Sequence, residues 1–332
     1  MSINVQSCLI IGGGISGLIA GNILQKKGKI VTILDKGRGI GGRLATRRIH
    51  DSDQITGVFD YGMQFFTVTD PLFQEWVDQW LLEGVITEWP NQLSEGQTPC
   101  YRGKNSNRSL GQYLAENLEI HRQTRAVSLK SHDSGWTVET ETGQSFQADS
   151  LMLTPPVPQS LSLLETSNLA LPSLIKSRLE EVTYYPCLTL LALLEGSSLI
   201  AEPGWLTPKD SPVAAIACNQ KKGISPQGCA VTIHSTPEFS EAYWDRDQAV
   251  IAETLLNAAS NWLGSTVLDY QVHRWRYSHP KTVYGEELLV LENPGLLVFA
   301  GDAFSDAPAN NIHLTLEKAV LSGIKAANYL LH

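Results

Sequence analysis

Three glycines near the start of the chain are spaced to hold a phosphate. Gly12, Gly14 and Gly17 occur in the order G-x-G-x-x-G within LIIGGGISGLIA. The first suits a tight turn, the second lets backbone approach a pyrophosphate, and the third lets a helix pack on the strand before it. A helix starting here, around Ser16, aims backbone N–H groups and its positive dipole end at the anion. Asp35 lies about twenty residues further on, where an acid accepts from ribose hydroxyls. Directly after it, Lys36 to Arg43 reads KGRGIGGR, with four glycines. The amides of Gly41 and Gly42 can form a second anion nest, flanked by Lys36, and Arg43 can grip a phosphate or sugar with two donors. Arg47 and Arg48 read as surface charge.

Other chemistries find little support. The eight histidines show no i, i+4 pair and no H-E-x-x-H, so no metal is expected. No G-x-S-x-G elbow is present for nucleophilic hydrolysis. The five cysteines include no C-x-x-C, which fits a reducing, cytoplasmic compartment better than a disulfide framework. No signal peptide is expected before the first strand, and no apolar run approaches the roughly 18 residues of a membrane span. The formal net charge of −9 argues against nucleic acid or an anionic membrane as partner, and an anionic ligand needs a local basic pocket.

The elements that must position these residues follow from periodicity. Cys8 to Ile11 is a short buried strand; Ile15, Leu18, Ile19 and Ile23 recur at helical spacing until Gly28; Ile30 to Leu34 is a second strand. This is a βαβ dinucleotide-binding unit. Asp70-Pro71 opens a helix whose tryptophans read as core. Residues 90 to 108 read as a polar loop, and Ile120 to Val127 as a strand. Trp136 to Thr140 and Ser150 to Thr154 are further strands. Runs at Leu188 to Leu194, Val213 to Cys218 and Cys229 to His234, with a helix from Asp245 to a stop at Gly264, suggest an antiparallel sheet. Gly295 to Ala300 is a buried parallel strand, followed by Gly301-Asp302 and a helix through Leu316, Ala319, Val320 and Gly323. The fold expected is α/β, in two domains. A Rossmann-like, discontinuous nucleotide domain takes residues 1–70, 105–160 and 286–332. A mainly antiparallel substrate domain takes 71–104 and 161–285.

Taken together, GGGISG, then D-x5-GGR, then FDYGMQFFT, the strand ending T-P-P-x-P at Thr154, and the C-terminal GDA with E-x-A-x-x-S-G-x-x-A-A resemble the FAD-dependent amine oxidase superfamily. Within it they are most similar to the renalase-like branch. The resemblance implies FAD as the dinucleotide, bound non-covalently, since no cysteine follows Cys229. It implies that Gln64, Val127, Thr154, Gly301, Asp302, Thr315 and Leu316 join the glycine motifs around the cofactor. Val127 would lie against adenine, Asp302 would accept from a ribityl or pyrophosphate-side hydroxyl, and the helix start at Thr315 and Leu316 would face the flavin N1/O2 edge. The connection from Ala303 to Leu316 is longer than usual for that branch, and Asn310, Asn311 and His313 lie within it.

The same resemblance implies an oxidase. A hydride passes from a dihydronicotinamide, NAD(P)H or an isomer, to the flavin; O2 then takes the electrons and gives hydrogen peroxide. On that reading Gln64 and His234 hold the nicotinamide amide. Arg274 or Arg276 meets its phosphates; the amine-oxidase expectation instead wants an aromatic cage at the flavin, for which Tyr61, Phe65, Phe66 and Tyr277 are the candidates. As a strand, His273 to Ser278 puts His273, Trp275 and Tyr277 on one face and the two arginines on the other. An amine oxidase or a desaturase-type enzyme is the alternative, and a non-catalytic flavin redox sensor the third. A lysine near the flavin is part of the amine-oxidase expectation, with Lys281 as the nearest candidate in sequence.

Overall fold

A computed structural model describes residues 5–50, 56–90, 98–133, 135–308 and 314–332. Its largest unit is a six-stranded sheet formed by Leu289–Leu291, Leu297–Phe299, Ser150–Leu153, Ser7–Ile11, Ile30–Asp35 and Glu119–Arg122, in that spatial order. All neighbours pair in parallel except the first two. The central strands are continuous apolar runs because both their faces are covered. Ser150–Leu153 is buried at every position. The crossover helix Ile15–Lys26 packs on this sheet, and the C-terminal helix Thr315–Leu331 packs on that helix in turn. Gly323 permits the approach, since a Cβ there would lie 2.5 Å from the Ser16 carbonyl oxygen.

The second large unit is a five-stranded antiparallel sheet. Its order is Trp205–Leu206, Val213–Cys218, Cys229–Ser235, Tyr184–Leu194 and Val267–Pro280. Helix Gln248–Leu263 covers one face, packing Ile251, Leu255 and Ala259 on Leu188, Leu190 and Ile233. Asp247 caps the start of that helix, and Gly264 ends it in the left-handed region at φ 76°. The other face meets the hairpin Thr46–His50 and Thr56–Asp60 through Ile49, Phe59, Leu191 and Leu193. Among the described residues no helix is long and apolar enough to cross a membrane.

Two expectations need correction. The stretch read as one strand from Ile120 to Val127 is two strands in two sheets. Glu119–Arg122 closes the parallel sheet, and Ala126–His132 belongs to a three-stranded antiparallel sheet. The break falls at Gln123, at φ 54°, where Gln123 and Thr124 donate backbone N–H groups to the carbonyls of Gly37 and Asp35. The polar stretch 90–108 also carries structure: Cys100–Gly103 is a strand, and helix Asn107–Ala115 begins inside it. Asn310, Asn311 and His313 lie outside the described residues.

Candidate cofactor and substrate site

The glycine turn forms the cradle its spacing predicts. Gly12 sits at φ 109°, where an L side chain is strained, and a Cβ on Gly17 would overlap the Gly12 carbonyl oxygen. Gly14 differs from both. A Cβ there would meet nothing within 4 Å, so the turn presents open space at that point. The Asp35 carboxylate accepts from the backbone N–H of Gly13 and of Gly37, both at 2.6 Å. One acid thus ties the two glycine loops together. The second loop is fixed further by the Gly41 N–H to Gly13 carbonyl bond at 2.9 Å. Gly41 and Gly42 both take positive φ. Ser16, in the first turn of the helix, is buried, yet among the described residues its hydroxyl has no hydrogen-bond partner. A buried orphan hydroxyl at a helix N-terminus beside an open glycine turn fits a bound pyrophosphate. Lys36 Nζ donates to Gln159 Oε1 at 3.0 Å beside this cradle.

The far end of the chain closes the site. Arg43 Nη1 donates to Asp302 Oδ2 at 2.5 Å and to the Ser278 carbonyl at 2.9 Å. Burial opposes the charge on Arg43, but the adjacent Asp302 carboxylate outweighs it and raises the Arg43 pKa. Gly301, at φ 140°, donates its N–H to the Ser322 hydroxyl oxygen at 2.9 Å. Thr154 directs its hydroxyl at the carbonyls of Ile11 and Gly12, each at 3.0 Å, which anchors the turn from behind. The C-terminal helix begins at Thr315, as expected, and Leu316 is buried. Val127 is 38% exposed on the edge strand Ala126–His132. These residues fit an extended dinucleotide: an ADP half over the glycine turn and a flavin half toward Arg43 and Asp302.

Beside Arg43 runs the long strand Val267–Pro280. Tyr277 packs edge-on against Tyr184 at 5.4 Å between centroids. Burial and the nearby Asp302 push the Tyr184 phenol up, so it stays protonated. Further along, Trp275 stacks on Tyr61 at 5.2 Å, and His273 meets both rings edge-on. The Tyr61 carbonyl accepts from Trp275 Nε1 at 3.0 Å and from His234 Nε2 at 3.2 Å. His234 is neutral, its pKa lowered to about 4 by burial and by the Lys222 charge.

Here the expected roles change. Arg274 donates from Nε to the Trp244 carbonyl at 2.9 Å and from a terminal nitrogen to the Arg246 carbonyl at 2.7 Å. Arg276 lies over the Trp244 ring, 4.7 Å from its centroid. The alternation along the strand is as expected, and both arginines fall on the face turned to Trp244 and away from Tyr61. Gln64 is also engaged at both ends of its amide. Its Nε2 donates to the Asp60 carbonyl at 2.6 Å and its Oε1 accepts from Lys222 at 3.2 Å. Lys281 lies over the Tyr185 ring, and Phe65 packs with Trp89 and Trp205 rather than with Tyr277.

Sequence reasoning missed the polar centre of this region. Lys222 Nζ donates to Asp60 Oδ2 at 2.8 Å, with both side chains fully buried. Asp60 also accepts from the Thr46 hydroxyl at 2.6 Å and the Asn107 N–H at 3.1 Å. Desolvation lowers the Lys222 pKa while Asp60 pulls it back up. The signal for Asp60 was present in FDYG, before the quoted glutamine. For Lys222, in QKKG, there was none, because adjacent lysines in a polar turn read as surface.

Residues 10–80 match an NAD(P)-binding Rossmann-like domain, and residues 81–331 match the flavin containing amine oxidoreductase family. Mouse renalase is 23% identical over 324 residues, covering 91% of this chain and 94% of the mouse protein. A putative protoporphyrinogen oxidase from Exiguobacterium sp. 255-15 superposes with a TM-score of 0.71 at 13% identity, over 97% of this chain and 98% of that one. Cyclohexylamine oxidase from Brevibacterium oxydans IH-35A gives 0.71 at 12% identity, over 98% and 99%.

Proposed function

We propose a reaction for a chain that belongs to the flavin containing amine oxidoreductase family: oxidation of a dihydronicotinamide, NAD(P)H or an isomer of it, with O2 as electron acceptor and hydrogen peroxide as product. The chain is an FAD-dependent oxidoreductase, and its similarity to mouse renalase supports this branch of the family. When bound, FAD supplies the hydride acceptor. The chain's residues do the rest. The turn at Gly12, Gly14 and Gly17 with Asp35 holds the ADP half, and Arg43 and Asp302 hold the flavin side.

The observation that carries the substrate reading is the Tyr61–Trp275 pair beside Arg43. Its rings stack on one another at 5.2 Å and 27°. They form a closed platform, not two facing walls with a slot for an amine between them. With Arg47 over the Tyr61 ring at 5.1 Å, a flat heteroaromatic ring packs at the edge of this stack. The neighbouring imidazoles of His234 and His273, each lowered to about 4, are neutral at pH 7, so no histidine there repels a positively charged oxidised ring as it leaves. All five cysteines are buried free thiols, which supports a cytoplasmic setting.

The test is anaerobic. The purified protein, with its flavin spectrum recorded, is mixed in turn with NADH, NADPH, their dihydro isomers, and aliphatic and aromatic amines. Rapid bleaching by a dihydronicotinamide and none by amines is the expected result. Bleaching by amines alone would move the protein to the amine oxidases, and no bleaching by any donor would favour a non-catalytic flavin sensor.

A further inference from the structure

The site so far lacks a cation for the anionic part of its substrate. Arg43 is committed to Asp302, and Arg274 and Arg276 lie on the far face of their strand. With a chain charge of −9, a phosphate-bearing substrate needs a local positive group. Arg47 is in a position to be that group. It lies on strand Thr46–His50, next to Thr46, which is bonded to Asp60. Its guanidinium sits over the Tyr61 ring, 5.1 Å from the centroid, and Nη1 donates to Gln271 Oε1 at 3.1 Å. Gln271, His273 and Trp275 alternate along one strand, so they share the face that carries the aromatic platform.

Charge distinguishes Arg47 from an ordinary interdomain arginine. Among the described residues no carboxylate lies within 4 Å of it, whereas Arg43, Arg178 and Lys222 each have one. Burial and the Arg47 charge hold neighbouring His273 neutral at pH 7. Among the described residues Arg47 is therefore a half-buried cation without a carboxylate partner, held by one amide and one ring. The guanidinium lies 5.1 Å and the Trp275 ring 5.2 Å from the Tyr61 ring centroid, so cation and indole are no more than about 10 Å apart. That is the scale separating a nicotinamide ring from the phosphate of its nucleotide.

From this juxtaposition we infer that Arg47 is a specificity-determining residue: it binds the phosphate of a dihydronicotinamide nucleotide whose ring packs at the edge of the Tyr61–Trp275 stack. The inference rests on the dihydronicotinamide reading above. The test compares the dihydronicotinamide riboside, which has no phosphate, with the mononucleotide and the dinucleotide, in anaerobic flavin reduction by wild type, Arg47→Ala and Arg47→Gln. Arg47→Gln keeps a polar side chain beside Gln271 and so controls for local unfolding, together with flavin content. Loss of a charge-assisted bond to phosphate raises the apparent Kd of the two nucleotides by about 10- to 100-fold in both variants. The riboside's Kd stays within about twofold of wild type, and the salt dependence of nucleotide binding disappears. Equal weakening of riboside and nucleotide, or no weakening of either, overturns the role of Arg47. If wild type is reduced by none of the three, the substrate reading falls and the Arg47 inference falls with it.

Discussion

Lys222 and Asp60 are 162 positions apart in the chain and 2.8 Å apart in the fold, with neither side chain exposed to solvent. The pair joins a turn of the antiparallel sheet to the segment that leads into the site. Asn219, from the same turn, accepts the Asp60 N–H at 3.3 Å, and Thr232 donates to the Asp60 carbonyl at 3.0 Å. Tyr61, whose ring and carbonyl hold His273, Trp275 and His234, is the next residue. The orientation of that cluster thus depends on a buried ion pair contributed by both units.

Removing one partner of such a pair leaves a buried charge without compensation. Lys222→Met should lower stability by about 3–5 kcal/mol, read as a lower urea midpoint at unchanged slope. The double variant Lys222→Met with Asp60→Asn should recover a large part of that loss, since neither charge then remains. A double variant no better than the single one would show that the hydrogen bonds of Asp60, and not its charge, carry the effect.

The glycine cradle gives a sharper contrast. Gly14 has ordinary backbone angles, φ −77° and ψ 175°, and a Cβ there meets nothing within 4 Å. Gly14→Val should therefore fold with nearly normal stability but lose FAD, because the side chain takes the space of the pyrophosphate. Gly17→Ala should lose stability as well as FAD, since its Cβ collides with the Gly12 carbonyl. Circular dichroism and melting temperature of the two apo-proteins, beside their flavin content, separate the outcomes. Equal FAD retention in wild type and Gly14→Val would place the cofactor elsewhere.

The parts legible in the sequence were those whose chemistry demands particular residue types within a short span. The G-x-G-x-x-G turn, the acid at Asp35 and the GGR loop each occupy a few consecutive positions, and the structure joins them through Asp35 itself. The strand before Gly301 was legible because it is continuously apolar. Parity along His273 to Ser278 was legible too, but not which face meets the cofactor. That depends on helix Gln248–Leu263 and the turn at Trp244 covering the arginine side, a tertiary fact that no local pattern records. The Lys222–Asp60 pair was hidden for the same reason, because burial of a lysine is decided by what folds over it.

Arg43 and Asp302 offer a test of how the two ends of the chain build one site. Asp302→Asn keeps the shape of the side chain and removes its charge, leaving the half-buried Arg43 without its counterion. FAD affinity should fall by about 10- to 100-fold, the cost of a charge-assisted bond in a partly buried setting. Titration of apo-protein with FAD, followed by quenching of flavin fluorescence, measures it. Arg43→Ala should weaken FAD at least as much, because it also removes the bond to the Ser278 carbonyl. Unchanged affinity in both would mean that the pair only staples the chain ends together.

His234 predicts how stability depends on pH. Its pKa lies near 4 in the folded protein, against the ordinary value of 6.5, chiefly because burial penalises the charged ring. The unfolded chain therefore binds a proton at higher pH than the folded one. Stability from this group is intact above pH 6.5, is lost as the pH falls from 6.5 toward 4, and changes no further below that. A gap of this size is worth about 3 kcal/mol over the window. His234→Gln, which can still donate to the Tyr61 carbonyl, should flatten the curve of unfolding free energy against pH between 6.5 and 4. Part of the slope should survive, because His273 and His279 are lowered to about 4 in the same way. Denaturant titrations at half-unit pH steps measure both curves, and a His234→Gln slope equal to wild type would show that the ring is already solvated in the native state.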